Sequence, residues 1–482
     1  MRNGSLTVYL SLILSLILSF ILTMVEGARI HTIRMEGECA ADIAMNSILA
    51  EYHRELLEQY DLFFVDLSYG TADIKIENTA EHLRSYLEHN FRSPDKASWL
   101  SGSRDWLGLS ADKALIKDLS LASDQNGAVI QSQIIEYMKD TTIEGKIADF
   151  MDRLSVMDSL EFEERDIASE RDQIQTQIES IELPTTIDES GTEREISLDN
   201  PADAVNASRG SFVLGMVLGD TSSVSGAVIR PEEYLSSRPN RLTGIGLPFS
   251  EGVPSSLTER YLINQYFAEK CGRYGSEMDK SLLKYQLEYL VIGKESDLEN
   301  LEGVARRLLL WREIANLVYL FSDTAKCLEA EALAYTLSAV LMVPALAEPV
   351  KYSILFAWAY IESLCDVRSL LEGGKVPLIK TSSDWVTGIE GITNFTGRAS
   401  DSTKAERGLD YLDYLQIMLF GKEDQEKTMR FMDLAEMDIR QTPGNQYFRM
   451  DGCFDSYTAE ITVSSRFGYR FDLEKTYSYN MN

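Results

Sequence analysis

Between Arg2 and Glu26 the chain carries no charge, and Ser5 to Val25 is apolar apart from a few hydroxyls. At about 1.5 Å per residue this stretch makes about 31 Å of helix, enough to cross a hydrocarbon core of about 30 Å. Whatever else the chain folds into is expected to hang from this helix. The hydroxyls of Ser5, Thr7 and Thr23 can bond back to a carbonyl one turn earlier, as can those of Ser11, Ser15 and Ser19. The last three recur every fourth residue, a spacing of small residues that lets helices approach closely in lipid. A cleaved secretory signal is the rival reading. Its apolar region usually runs about 7 to 15 residues and ends in small residues, whereas this run is longer and exits into Val25-Glu26-Gly27-Ala28-Arg29. Retention is therefore expected. Arg2 on one side and Arg29 with Arg34 on the other leave the charge bias balanced, so orientation stays open. Glu26 is either a water-exposed boundary charge or the partner of a cation on a neighbouring helix.

Composition narrows the partners. With 46 basic and 76 acidic residues the net charge is −30, which repels phosphate backbones, so no nucleic-acid partner is expected. The cysteines, Cys39, Cys271, Cys327, Cys365 and Cys453, form no CxxC pair and point to neither zinc nor redox chemistry. They read as buried small side chains, with one disulfide possible.

Periodicity organises the rest. No proline occurs from Gly27 to Tyr60, and the apolar residues keep helical spacing, so the membrane helix is expected to continue beyond the interface. Asp61 to Gly70 reads as a strand, Thr79 to Phe91 as a helix, and Lys113 to Leu121 as a second strand before the Asn126-Gly127 turn. Helices are expected over Val129–Met138 and Ile143–Ile181, where Ile167, Ile174 and Ile181 lie seven apart, with Ile178 in support, as in a helical arm. Six of the 11 prolines fall between Leu183 and Pro254. Thr185 to Asn206 reads as a flexible exposed linker, and Ser211 to Leu218 as an apolar island that needs packing. From Leu257 to Gly374 the pattern is helical. Leu301, Val304, Leu308, Trp311, Ala315 and Val318 share a face, with Arg306, Arg307 and Glu313 off it. Ala332–Ala347 and Tyr352–Ile361 are uncharged but too short to span a membrane, so buried central helices are expected. Two more helices near Leu409–Leu419 and Glu426–Ile439 precede alternating strands at Tyr457–Ser465 and Phe467–Leu473.

The economical fold is α+β, predominantly α: the long N-terminal helix packed on a small sheet built from both ends of the chain, with a large helical insertion. The expected division is 1–4 as a short leader or cytoplasmic end, 5–25 transmembrane, 26–183 membrane-proximal, 184–256 linker, 257–441 helical, and 442–482 returning strands.

Chemical motifs are sparse. His31, His53, His82 and His89 all lie near the start, and no HExxH, GxxxxGK[ST] or GxSxG occurs. His82 and His89 lie seven apart, where paired zinc ligands on a helix would be four apart, so they read as a solvated helix face. Glu161, Glu163, Glu164 and Asp166 read as a solvated acidic run. Lys375 and Lys380 beside Gly373-Gly374 could cradle an anion, although a helix-ending glycine pair explains the glycines without a ligand. No catalytic residue, cofactor site or metal site is assigned.

The stretch Met-Arg-Asn-Gly-Ser-Leu-Thr-Val-Tyr-Leu-Ser-Leu and the exit Met-Val-Glu-Gly-Ala-Arg resemble the start of a family of large membrane proteins from Gram-positive bacteria, of the kind encoded beside tight-adherence (Tad) pilus genes. Asn200-Pro-Ala-Asp203, Gly373 to Thr381 and Trp385 carry the same resemblance. The start is also similar to Tad pilin-like proteins, in which a leader ends in glycine and a helix follows. Gly4 and Ser5 sit where that cleavage would fall, and Tyr9 stands where those proteins have glutamate. The resemblance implies a large extracellular body on a single-pass anchor in the cell membrane. It further implies an assembly role, with pilin-like or pilus-assembly proteins as partners of Ser11, Ser15, Ser19 and Glu26 alongside the lipid bilayer. The contrasting expectation is a surface hydrolase or ligand-binding ectodomain, which would need a carboxylate pair in a cleft.

Overall fold

The computed structural model describes residues 3–91, 107–139, 145–160, 165–187, 193–246, 256–395 and 407–479. In chain order come α1 (Asn3–Leu49), α2 (Arg54–Tyr60), β1 (Val65–Asp66), α3 (Ile76–Phe91), β2 (Ser110–Leu121), α4 (Ala128–Lys139), α5 (Lys146–Ser159) and α6 (Ile167–Glu179). The short ribbon β3 (Thr185–Ile187) and β4 (Glu193–Glu195) follows, then α7 (Ala202–Ser208), α8 (Val213–Val217), α9 (Leu257–Lys270), α10 (Gln286–Ile292) and α11 (Asp297–Ser322). The remainder is α12 (Thr324–Val340), α13 (Ala347–Leu371), α14 (Glu390–Thr393), α15 (Tyr411–Phe420), α16 (Asp424–Arg440), β5 (Cys453–Ser464) and β6 (Arg470–Ser478). The fold is α+β and predominantly helical, with its main sheet drawn from both ends of the chain. Two compact units result, the first from 1–137, 232–254 and 435–482, the second from 138–231 and 255–434.

In the first unit β5 is the central strand. It pairs antiparallel with β2 from Ser110↔Ser464 to Leu121↔Phe454, with β6 from Ser464↔Arg470 to Ser456↔Ser478, and with β1 at Val65↔Phe454. Its odd-numbered residues Tyr457, Ala459, Ile461 and Val463 are buried with Ala41, Ala44, Met45 and Ile48 of α1 and Leu83 and Leu87 of α3. The even positions are polar: Thr458 bonds Thr476 at 2.8 Å and Thr462 donates to Asp472 at 2.6 Å. Period two in the strand and 3.6 in the helix thus meet along one apolar seam.

The expected strand over Asp61–Gly70 shrinks to β1. Its first half satisfies its backbone elsewhere: Phe63 N–H donates to Gln133 Oε1 at 3.0 Å, and Gln133 Nε2 donates back to the Phe63 carbonyl at 2.8 Å. The Phe64 carbonyl accepts from His53 N–H at 2.8 Å. After β1 the chain turns at Tyr69 and Gly70, both at positive φ. The returning segment 232–254 is tied into the same unit by Arg238, whose guanidinium bonds Glu436 at 2.8 Å and Asp451 at 2.7 Å, and by a bridge between Ile245 and Leu119.

The second unit is built on α13, with 21 of its 25 residues buried, so this helix is the axis. Helices α11, α12, α6, α7 and α8 all pack on it. The expected central pair is therefore only half right. α13 is central, but α12 buries one face through Ala330, Ala334 and Ser338 while Leu328, Tyr335 and Val340 are exposed. α11 is buried on more than its apolar face, since Glu313 and Arg312 are also enclosed. α6 is not an arm, because Ile167 and Ile178 are buried where it lies on α13, with Ile174 and Ile181 half-buried. The second half of the expected linker is likewise anchored. Asn200 donates to Ser353 Oγ at 3.1 Å and accepts from Ala202 N–H at 3.1 Å, while Ala202 and Val205 are buried. The apolar island became α8, whose free N-terminal amides of Val213 and Leu214 both donate to Glu302 at 3.0 Å. Capping boxes start α9 at Ser256 and α15 at Asp410.

One close approach sets the α1–β6 seam. A Cβ on Gly37 would lie 2.6 Å from Phe471 Cζ. We expect Gly37→Leu to lower the stability of the first unit by about 1–3 kcal/mol through overpacking, read as an earlier urea midpoint of the detergent-extracted chain. Gly37→Ala should sit close to the parent, because the helix preference of about 1 kcal/mol for alanine offsets part of the clash.

Candidate functional site

The structural feature that most constrains function is α1 and its base. One 18-residue window of this helix has a mean hydropathy of 2.5 with none of it buried, and no other described helix is both long and apolar enough to cross a membrane. Leu6 to Val25 is bare on every side. From Ile33 onward the same helix becomes the backing of the sheet, with Ile33, Gly37, Ala40, Ala41, Ala44, Met45 and Ile48 buried.

Alternate residues of β6 and its preceding turn zip along that half. The Arg29 guanidinium lies 4.5 Å from the Phe467 ring, and Arg34 Nε donates to the Tyr469 hydroxyl at 2.5 Å. Phe471 covers Gly37. Asp42 accepts from Lys475 Nζ and, at 2.8 Å, from the Tyr477 hydroxyl, while the Tyr479 hydroxyl donates to the Leu49 carbonyl. Burial opposes ionisation of Asp42, but the bonds from Lys475 and Tyr477 hold its carboxyl below the usual range. Burial and the bond to Asp42 push Tyr477 up to about 12. A groove of about 500 Å³ runs beside these residues, lined by Asp42, Asn46 and Lys475 to Ser478. This aromatic ladder was overlooked in the sequence. Its signal was the period-two run Phe467, Tyr469, Phe471, Tyr477 and Tyr479, facing the small residues Gly37, Ala40, Ala41 and Ala44.

The expected membrane residues lie along the exposed half of the same helix. Gly4 and Ser5 fall in its first turns. Ser11 and Ser15 donate to the carbonyls of Val8 and Leu12 at 2.9 and 2.8 Å, and Thr23 donates to that of Ser19 at 2.6 Å. Glu26 is paired with Arg29 of its own helix at 2.8 Å.

Lys375 and Lys380 do not come together as an anion cradle, in keeping with the reading of Gly373-Gly374 as a helix end. Lys375 is exposed, whereas Lys380 is buried with its ammonium on both Glu362 and Asp366, the latter at 2.6 Å. Arg312 completes the cluster, bonding Asp366 at 2.9 Å, the Pro377 and Leu378 carbonyls at 2.8 and 3.0 Å, and Tyr414 at 3.1 Å. Burial opposes the Asp366 charge, yet Lys380 and Arg312 hold its carboxyl below the usual range. The Trp385 ring packs tilted on Tyr319 and edge-to-face with Trp358, and its centroid lies 5.5 Å from the Lys380 ammonium. Gly408 belongs to the same fastening: at φ 115, its Cβ would fall 2.4 Å from the Val376–Pro377 backbone. The Gly373–Thr381 stretch is thus held onto α11 and α13 by two cations set against two carboxylates. Both carboxylate pairs described in these clusters, Glu362 with Asp366 and Glu436 with Asp451, are occupied by internal cations.

The remaining candidates have local partners. His82 Nδ1 meets Glu51 at 3.0 Å, and Tyr86 donates to the same carboxylate at 2.7 Å. Asp166 caps α6 through Ser169 N–H at 3.0 Å, while 161–164 lie outside the described residues. All five cysteines are free; Cys271, Cys365 and Cys453 are buried as expected, Cys327 is half-buried, and Cys39 is exposed because it falls on the solvent side of α1. Among the described residues no three His, Cys, Asp or Glu side chains cluster as metal ligands do. Glu288, fully buried in the second unit, accepts from Tyr274 N–H at 2.9 Å and Tyr411 at 2.8 Å, and burial pushes its carboxyl up to about 7.

Fold and seam together define an α+β body on a long N-terminal helix compatible with a single-pass anchor. The chain belongs to the family of unknown function DUF5702, whose profile matches residues 191–465. The match begins after α1 and ends just beyond β5, so the helix and the strand zipped to it lie outside the shared region. No curated protein and no solved structure matches.

Lys380→Met should destabilise the second unit by about 3–5 kcal/mol, since it strands buried carboxylates. Adding Glu362→Gln should recover part of that loss in thermal unfolding followed by circular dichroism. Glu288 titrates the same unit with the opposite requirement. Its raised folded pKa makes the protonated form native, so its contribution is complete below the ordinary 4.5 and is lost as pH rises through about 7, on the order of 3 kcal/mol. Glu288→Gln should flatten the fall in melting temperature between mildly acidic and mildly alkaline buffer.

Proposed function

We propose that the chain is an envelope-anchored assembly component that acts through packing of its helix rather than through chemistry. Ser5 to Val25 stays in the mature protein as a single membrane span, and the two units form an extracellular body. The observation that carries this reading is the split character of α1, bare and apolar over Leu6–Val25 and then the spine of a folded unit. A cut within Leu6–Val25 would leave an apolar stub on the folded unit, and the exposed half has apolar surface to bury only in lipid or against other helices.

The Ser11, Ser15 and Ser19 stripe is the packing face. Its hydroxyls are already satisfied by the helix's own carbonyls or left small at the surface, so a neighbouring helix meets a shallow, non-charged groove. Glu26, paired with Arg29, marks the exit into the headgroup layer. The partners are pilin-like helices of a Tad-like pilus or secretion system, and a leader cut between Gly4 and Ser5 releases the helix for assembly.

Intact mass and N-terminal sequencing of the membrane-extracted protein should give Ser5 as the first residue and an otherwise complete chain; a start beyond Gly27 overturns the anchor. Replacing Ser11, Ser15 and Ser19 together by leucine should leave membrane retention unchanged and abolish cross-links from α1 to neighbouring helices. Protease shaving of whole cells should digest the body without permeabilisation.

A further inference from the structure

We propose that the turn joining β5 to β6, Arg466-Phe467-Gly468, together with Arg29 and Arg34 of α1, is a second membrane contact, in which Phe467 enters the interfacial layer while the guanidinium groups bind anionic lipid phosphates on the body's side. This inference rests on the reading of α1 as a retained anchor.

The helix supplies the ruler. Its last bare apolar residue is Val25, and Arg29 lies four residues further on, about 6 Å along the axis. The polar layer of a bilayer is about 5–7 Å deep on each side, so Arg29 stands within it. Because the Arg29 guanidinium lies 4.5 Å from the Phe467 ring, the turn stands at that depth as well.

The turn is built to hold that position. Ser465 and Tyr469 close it, with Ser465 N–H donating to the Tyr469 carbonyl at 2.9 Å, and Gly468 takes φ 79. Arg466 N–H donates to the Leu107 carbonyl at 3.1 Å, which ties the tip to the segment leading into β2. Phe467 is nonetheless 66% exposed, whereas Tyr469 and Phe471 on the same side of the ladder are half-buried against α1. A large apolar ring held outward by a fixed turn at headgroup depth suits the interfacial belt that aromatic residues occupy.

Basic residues occur at this end of the seam. Arg29 and Arg34 meet Phe467 and Tyr469, and Arg466 and Arg470 flank those aromatics in the chain, in a protein of net charge −30. Among the carboxylates nearby, Glu26 pairs with Arg29 and would have to yield it to a phosphate, while Asp112 and Asp472 accept from the Ser464 and Thr462 hydroxyls at 2.8 and 2.6 Å. Arginine matches phosphate geometry, and each basic side chain near an anionic surface strengthens attachment about fivefold. Basic and aromatic residues at one depth, on the side of the body that faces the lipid, therefore share one occupant.

The test uses the full chain carrying Phe467→Trp, reconstituted in phosphatidylcholine vesicles with and without phosphatidylglycerol. The added emission, taken as the difference from the parent, should be blue-shifted and quenched by lipids brominated on their acyl chains. Arg466→Gln with Arg470→Gln should reduce that quenching in phosphatidylglycerol vesicles only. Deuterium exchange over 465–470 of the parent chain should slow in the same vesicles relative to neutral micelles. Emission at the wavelength of water-exposed tryptophan, quenched by acrylamide and not by bromolipid, overturns the inference if the protein survives a carbonate wash with the vesicles, as does unchanged exchange. Release by that wash overturns the anchor reading itself and this inference with it.

Discussion

A single unbroken helix carries two different surfaces. From Leu6 to Val25 every side chain of α1 is presented outward and none is charged, and over the second half one apolar stripe is buried while the rest carries Glu36, Glu38, Asp42 and Asn46. The transition is made without a proline or a kink, by changing the pattern of burial alone. What makes the second half a foundation is the run Gly37, Ala40, Ala41 and Ala44, which lets the helix settle close on the β5–β6 ladder. Larger residues would hold the strands away, and Tyr457 could no longer reach the Met45 carbonyl at 2.9 Å.

The same contact joins residues 412 apart in the chain. Loop closure costs rise only slowly with length, but a loop of that size left unstructured would be a hazard during folding. Here most of the intervening chain forms a unit with its own axis, α13, and its own buried clusters. Part of it, 232–254, comes back midway to place Arg238 between Glu436 and Asp451. Burial raises Glu436 to about 7 even beside Arg440 and Arg238, whereas Asp451 is held low once burial is outweighed by Arg238 and the Arg241 amide. The two carboxylates sharing one guanidinium thus divide the charge, and the cluster is stable without a second full negative charge in the interior.

Legibility followed periodicity. α1, α11 and the last two strands are readable because their apolar residues keep a helical or alternating spacing, whereas α13, buried on nearly every side, shows only as an uncharged stretch at Tyr352–Ile361 within the longer Ala347–Leu371 helix. β1 was overestimated because Phe63 and Phe64 look like strand residues, and only Gln133, far along the chain, tells where their backbone bonds go. The region 185–206 looked like a linker because its anchor is a polar contact, Asn200 to Ser353, which hydropathy does not register. Lys380 looked available for an anion for the same reason: its carboxylate partners sit on α13, one turn apart at Glu362 and Asp366, inside a helix that reads as core. The aromatic ladder on β6 was visible as a pattern, but its meaning required knowing that it faces glycine and alanine.

The placement of charge follows from these constraints. Two clusters of interior carboxylates are matched locally, Glu362 and Asp366 by Lys380 and Arg312, Glu436 and Asp451 by Arg238 and Arg440, and most of the excess acid in a chain of net charge −30 lies outside them. Such an excess repels an anionic membrane at a distance of up to about one Debye length, and a body tethered by a single helix would be pushed away from the headgroups. Under the proposed anchoring, Arg29 and Arg34 place positive charge at the base of the helix, where that repulsion would be strongest. On that same proposal, the seam that fastens α1 to β6 also carries the β5–β6 turn to the level where α1 leaves the apolar layer.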